Sequence, residues 1–160
     1  MRRFGEPFLR GKRYLVRPGA YAVLIRDGKI LLTHQTAPVP EYQLPGGGIE
    51  KGEQVLPALY REILEETGWS AAGLRRVGVY KRFTFMAEYN MWAEKICTIY
   101  AGRPILDKGE PIEKDHHAVF VPINLGLKLL TNSGDQSFAK SVVGMTSNSN
   151  ITPDTSSSNL

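Results

Sequence analysis

Glu62, Glu65 and Glu66 are the side chains in this sequence best spaced for chemistry, and they sit in the stretch Gly47 to Trp69, GGIEKGEQVLPALYREILEETGW. On a helix turning about 100° per residue, with Glu62 at zero, Glu66 falls near +40° and Glu65 near −60°, so the three share one face. Two carboxylates about 5 Å apart at an effective dielectric of about 20 repel by roughly 3 kcal/mol. On a fully solvated helix the same pair costs a small fraction of that. Partial burial would leave a penalty that a bound divalent cation removes. Oxygen-only ligands suit Mg²⁺ or Mn²⁺, which prefer carboxylate, carbonyl and water, with substrate phosphates completing the Mg²⁺ shell. The plainer alternative is a surface helix carrying an acidic stripe.

The surrounding spacing favours the metal reading. Gly47 is followed after five residues by Glu53, then after seven by Arg61-Glu62-Ile63, then by Glu65-Glu66 and Gly68-Trp69. This series resembles the Nudix box, G-x5-E-x7-R-E-U-x-E-E-x-G-U with U a bulky apolar residue, and Trp69 stands where that family usually carries an aliphatic one. The resemblance covers the box and, more loosely, its strand-rich flanks.

The same positions have physical readings of their own. Gly46, Gly47 and Gly48 permit positive φ and close backbone approach to an ion or phosphate. Pro57 is tolerated only in a first turn, so the helix is predicted to start near Gln54 or Val55. Gly68 closes it in the left-handed conformation. Leu56, Leu59, Tyr60 and Ile63 make an apolar face beside the carboxylates, which places the acids at the edge of a core. Arg61 is positioned to pair with Glu65 or Glu53.

The elements that must hold this helix read as mixed. Tyr21 to Ile25 and Ile30 to Thr33 are β-prone and joined by Arg26-Asp27-Gly28-Lys29, a hairpin signal. Pro45 biases Leu44 toward extended chain leading into the glycine turn. Arg76 to Phe85 and Ile96 to Ala101 are predicted as an antiparallel pair, and Ala118 to Pro122 as one more strand. Helices are predicted over Leu125 to Leu130 and Asp135 to Val143. With no internal repeat, strands with a helix to either side suggest an α/β sandwich. That agrees with the Nudix αβα sandwich with a mixed central sheet that the resemblance implies.

The chain has 160 residues, 42% of them apolar, enough for one domain with its own core. Its net charge of +4 is unevenly distributed. Arg2, Arg3, Arg10, Lys12, Arg13 and Arg17 against Glu6 give residues 1–17 the character of a basic arm. The arm reads as a solvated leader over the domain, or as a contact for a nucleotide or RNA end. Breaks at Gly5, Pro7, Gly11 and Pro18 argue against a transit peptide. No apolar run approaches the roughly 20 residues of a membrane span. The single cysteine, Cys97, excludes an internal disulfide and reads as a small core residue, so a cytoplasmic setting is expected. Residues 18–144 are taken as the domain. In the tail 145–160, eleven of sixteen residues are Ser, Thr or Asn, a composition expected to be disordered.

The resemblance implies Glu62, Glu65, Glu66 and the Gly47 carbonyl as metal ligands, with those three glutamates catalytic and a Glu53–Arg61 salt bridge in support. Hydrolysing a diphosphate requires its charge to be neutralised and water to be made nucleophilic, and divalent ions do both. Family members place the general base within the box or on a loop after the later strands. Here such a loop holds Glu110, Glu113, Asp115, His116 and His117, of which Glu110 is the preferred extra acid. Tyr80, Lys81 and Arg82 offer aromatic and cationic groups near the presumed cleft, and Tyr80 and Arg82 are taken as substrate-binding. Tyr89 and Trp92, in a predicted loop from Met86 to Glu94, would stack on a base or cap the core. The expected activity is Mg²⁺-dependent hydrolysis of the diphosphate linkage in a nucleoside diphosphate derivative such as a nucleotide, nucleotide sugar or ADP-ribose. The alternatives are removal of a 5′ pyrophosphate from RNA, or a Nudix-like module that senses nucleotides without turnover. A homodimer stays open.

Overall fold

The computed structural model describes residues 1–149. An eight-stranded sheet runs in the order β1 (Arg2–Gly5), β6 (Trp69–Met86), β7 (Met91–Asp107), β2 (Tyr14–Arg26), β3 (Lys29–Gln35), β4 (Glu41–Gln43), with β5 (Gly46–Gly48) paired to β2 and β8 (His116–Pro122) paired to β3. The β1–β6 and β2–β7 pairs are parallel and the others antiparallel, so the sheet is mixed. Helix α1 (Val55–Thr67) covers one face, while α2 (Ile123–Leu129) and α3 (Ser133–Ser149) lie against the other.

Strand alternation builds both cores from one sequence. Ala20, Ala22, Leu24 and Leu31 point to α1, where they meet Leu59 and Ile63. Val23, Ile30 and Leu32 point the other way, toward Leu130, Ala139 and Val142. Leu56 departs from the predicted apolar face of α1 and is exposed. Trp69 belongs to the α1 core, its ring edge-on to Phe120 at 5.0 Å, so this site accepts an aromatic ring in the aliphatic slot.

The β2–β3 hairpin turns at Asp27 (φ 52°) and Gly28 (φ 73°), two left-handed residues in succession. Beyond Leu24 and Leu31 the two strands part. In the opening lies the segment 41–48, with β4 on the β3 arm and β5 on the β2 arm. The Ala22 N–H donates to the Pro45 carbonyl at 2.9 Å, and buried Leu44 fills the crotch. This fork carries the glycine turn to the edge of α1.

Both termini differ from the sequence expectation. Residues 2–5 of the basic arm are an edge strand rather than a solvated leader, and residues 14–17 begin β2. Leu9 donates its N–H to the Tyr14 hydroxyl, and Phe8 stacks on Tyr14, because the arm's aromatics find partners on the sheet. The predicted loop from Met86 to Glu94 is only a one-turn 3₁₀ helix, Ala87–Tyr89, closed by Asn90 at φ 47°. Trp92 is therefore in β7. Of the tail expected to be disordered, residues 145–149 continue α3 and residues 150–160 lie outside the described residues. No helix among the described residues is long and apolar enough to cross a membrane.

Helix α1 begins after Gln54 and ends at Gly68, whose φ is 73° and whose N–H donates to the Leu64 carbonyl. A Cβ at Gly68 would run into the Gly109 carbonyl, so this cap also seats the loop 108–115. Gly68→Ala should lose about 1–2 kcal/mol from the left-handed backbone alone, before the steric conflict is added. A melting temperature lower by several degrees in a circular dichroism melt, at about 2–4 °C per kcal/mol, is the expected result.

Candidate active site

Each acidic residue is aimed by a separate local cause. Glu66 lies on the buried side of α1, 7% exposed, and its Oε2 accepts the Gly46 N–H at 3.1 Å. Glu62, one turn earlier, stands against the glycine turn. A Cβ at Gly47 would come within 3.0 Å of its carboxylate carbon, so a side chain there would push Glu62 aside. Gly46, at φ 142°, has no room for a Cβ, since one would run into the Ala20 carbonyl. Glu65 faces Arg61, whose guanidinium lies 3.1 Å from Glu65, 3.3 Å from Glu62 and 3.2 Å from Glu53. Glu53 also accepts the Glu50 N–H at 2.9 Å, which ties the turn before the helix to Arg61.

The fourth carboxylate comes from the loop 108–115. Backbone N–H groups of Ile112 and Glu113 donate to the Glu65 carbonyl, at 2.9 and 3.4 Å, and that of Lys108 to the Gly68 carbonyl at 2.7 Å. These bonds use carbonyls left open at the helix C-terminus and bring Glu113 over the acidic face. Glu113 shares a group within 4.8 Å with Glu62 and Glu65, and another with Glu66 and His116. His116 Nε2 is 3.6 Å from Glu113, while its Nδ1 is buried without a partner.

Of the five loop candidates, then, the structure brings Glu113 and His116 to the site. Glu110, preferred on sequence, is exposed and belongs to neither group, since it lies between the loop's two anchor points on the helix end, Lys108 and Ile112–Glu113. His117 pairs with His34 in the β3–β8 ladder and is exposed, as is Asp115.

Crowding and burial act together on these acids. Burial pushes the Glu66 carboxyl well above its ordinary pKa, opposed by the Gly46 N–H and reinforced by Glu113, Glu62 and Glu65. Glu62 is raised for the same first reason, with Arg61 pulling it down and Glu113 and Glu65 pushing it up. Four carboxylates with a glycine turn alongside make a hard-oxygen donor set. The set fits Mg²⁺ or Mn²⁺.

Through Glu66 and His116 the acidic groups reach a cleft of 440 Å³ on the α3 face of the sheet, lined there also by Gly46 to Gly48. Arg82 and Tyr89 line it, and so does Tyr80. The residue is fully buried, its ring stacks on Phe138, and the hydroxyl donates to Asp135 at 2.7 Å while accepting from Asn132 at 2.9 Å. Trp92 is not a cleft residue; it packs among Tyr14 and Phe85 on the opposite face, beneath Lys12. Sequence reading missed Lys95, Asn132 and Asp135 as cleft residues and read Arg17 only as arm charge. The one available signal was parity with Cys97, since Lys95 and Cys97 share a face of β7.

The raised Glu66 pKa sets a pH dependence. Unfolded, the carboxyl ionises near its usual value of about 4.3; folded, it holds its proton to higher pH. The native state then binds more protons than the unfolded one in that window, so its stabilising contribution is full below it and lost as pH rises through it. Glu66→Gln removes the loss, and its amide oxygen can still accept the Gly46 N–H. With chelator present, the two proteins should melt alike below about pH 4, and the variant should melt progressively higher than wild type toward neutral pH. A variant that melts lower at neutral pH would contradict the assignment.

A family model described as NUDIX domain matches residues 15–140. The chain is 38% identical over 74 residues to a Bacillus subtilis (strain 168) protein named "Putative 8-oxo-dGTP diphosphatase", covering 46% of this chain and 50% of that protein. It is 35% identical over 89 residues to a Cereibacter sphaeroides (strain ATCC 17029 / ATH 2.4.9) protein named RNA pyrophosphohydrolase, covering 54% and 53%. The chain thus spans about half the length of these curated relatives. The solved MutT NUDIX hydrolase from Burkholderia pseudomallei superposes with a TM-score of 0.63 at 25% identity, over 80% of this chain and 98% of that one. A MutT protein from Bacillus halodurans does so at 0.65 and 19%, over 79% and 82%, a likeness of fold. With the family model covering most of the chain and the box intact on α1, this protein belongs to the NUDIX domain family.

Proposed function

We propose that the chain is a divalent-metal-dependent pyrophosphohydrolase acting on a nucleoside diphosphate derivative. The observation that carries this reading is the pair of acidic groups on α1 and its loop, Glu62–Glu65–Glu113 and Glu66–Glu113–His116, which share Glu113 and reach the cleft through Glu66 and His116, with Glu66 desolvated against the glycine turn. The names of the relatives support it, being those of a putative 8-oxo-dGTP diphosphatase and an RNA pyrophosphohydrolase. When bound, a Mg²⁺ or Mn²⁺ ion supplies charge neutralisation of the diphosphate and acidification of the attacking water.

The protein's own groups do the rest. Glu62, Glu65 and Glu66 would hold the cation, with the Gly47 carbonyl as the further ligand this reading assigns. Arg61 fixes the Glu62 and Glu65 side chains and ties them to Glu53. In the reaction a water oxygen bonds to one phosphorus, the bridging P–O bond breaks, and the water's proton passes to a base. Glu113 takes that role in this reading, because it belongs to both acidic groups and has His116 beside it to receive the proton onward. Tyr89, exposed at the cleft rim, offers a ring for a base.

Cleavage products of nucleoside triphosphates, oxidised nucleotides, sugar nucleotides, ADP-ribose, dinucleoside polyphosphates and 5′-triphosphorylated RNA, separated by ion-exchange chromatography after incubation with Mg²⁺ and with chelator, test the proposal. Turnover of at least one substrate that chelator abolishes is expected, and no turnover anywhere would favour the sensing module. On that substrate Glu113→Gln should lower kcat by about 10²-fold or more, the usual scale of general-base catalysis. A comparable loss in Glu110→Gln, with Glu113→Gln unaffected, would return the role to Glu110.

A further inference from the structure

The strand register places three cations in one row across the cleft floor. Arg82 of β6 pairs with Lys95 of β7, and Lys95 pairs with Arg17 of β2. Directly paired residues put their side chains on the same face, about 5 Å apart, and like charges in that position destabilise a sheet. This face is the one that lines the cleft. Among the described residues none of the three lies within ion-pairing distance of a carboxylate: Arg82 touches Thr84 at 3.5 Å, Lys95 sits over the Tyr21 ring at 5.6 Å and Arg17 over the Tyr89 ring at 5.2 Å. The Arg82 Nε is buried with no hydrogen-bond partner.

Asp135, buried and accepting the Tyr80 hydroxyl at 2.7 Å, is attracted by Arg82 and Lys95, and a single carboxylate leaves the three cations in excess. Of the other acids that line the cleft, Glu88 is exposed on the rim, Glu41 accepts from Gln43 at 2.7 Å and Glu66 accepts the Gly46 N–H. On the next row toward the hairpin stand Tyr80, Cys97 and Gly19, none of which brings a carboxylate to the cations. The row also has a direction. The Arg17 guanidinium reaches to within 3.9 Å of where a Gly48 side chain would begin, next to the acidic group. Lys95 and Arg82 lie one and two strands farther, about 5 and 10 Å away at ordinary strand spacing.

We infer that Arg17, Lys95 and Arg82 form an anion track leading away from the acidic group, which takes a phosphate the substrate carries in addition to the diphosphate that is cleaved. The missing counter-ion of the row is then the ligand itself. Such a phosphate comes either from a longer polyphosphate chain or from an ester on the sugar, and both present the same chemistry to a guanidinium and an ammonium. The inference deepens the proposed function by naming what distinguishes the substrate.

Binding measured by calorimetry in chelator separates this inference from the hydrolase reading, because no turnover is needed. The probes are a nucleoside 5′-diphosphate, its 3′-phosphorylated form and the corresponding nucleoside 5′-tetraphosphate. Wild type should bind at least one extended probe about tenfold or more tighter than the diphosphate, and the probe preferred identifies the source. Lys95→Met and Arg82→Met, on different strands, should each reduce that preference to threefold or less. Each should melt no lower than wild type without ligand, since one of three like charges is removed. Equal binding of all three probes, or a preference that survives in both variants, would overturn the inference. Absence of turnover with the preference intact would instead sink the hydrolase reading alone.

Discussion

A single hydrogen bond, from the Gly46 N–H to the buried carboxyl of Glu66, is where the sheet, the helix and the chemistry meet. It exists because the β2–β3 hairpin forks and lets the glycine turn lie flat on β2, so closely that no side chain fits at Gly46. A helix packed on that face through Leu59 and Ile63 then has nowhere to put Glu66 except into the turn. The apolar core and the acidic site are thus two sides of one packing solution.

Such an arrangement works against the folded state. Carboxylates about 5 Å apart in a half-desolvated place repel by a few kcal/mol per pair, in a domain whose whole stability is of the order of 10 kcal/mol. Arg61 offsets part of this from the solvent side, where ion pairs contribute little. The loop 108–115 adds a fourth acid instead of a base. Locally unfavourable choices of this kind are expected where a site is built for a ligand of opposite charge. The cation row on the cleft floor is the mirror case, positive where the far end is negative, and together they give the cleft a polarity suited to a metal at one end and phosphate at the other.

Much of this was legible in the sequence because it is local. Pro57 and Gly68 bracket α1, Asp27-Gly28 marks the hairpin, and the box spacing places Glu62, Glu65 and Glu66 on one face; all of these follow from backbone preference and helical period. What was not legible depends on pairing between distant segments. Which acid of the loop returns to the helix is decided by N–H bonds to the Glu65 carbonyl, so Glu113 and not Glu110 arrives. Whether Tyr80 faces solvent or core depends on Asp135, fifty-five residues away. The alignment of Arg17, Lys95 and Arg82 follows from register between three strands that no local pattern specifies.

The central claim is that the crowded acids exist to hold a divalent ion, and Mn²⁺ binding tests it without reference to any substrate. Titrating Mn²⁺ and following the free-ion signal by electron paramagnetic resonance should show saturable binding to the wild-type chain. Glu66→Gln should weaken that binding by about tenfold or more, the scale expected when a metal site loses a ligand or its support. Binding that is absent in the wild type, or unchanged in Glu66→Gln, would contradict the account.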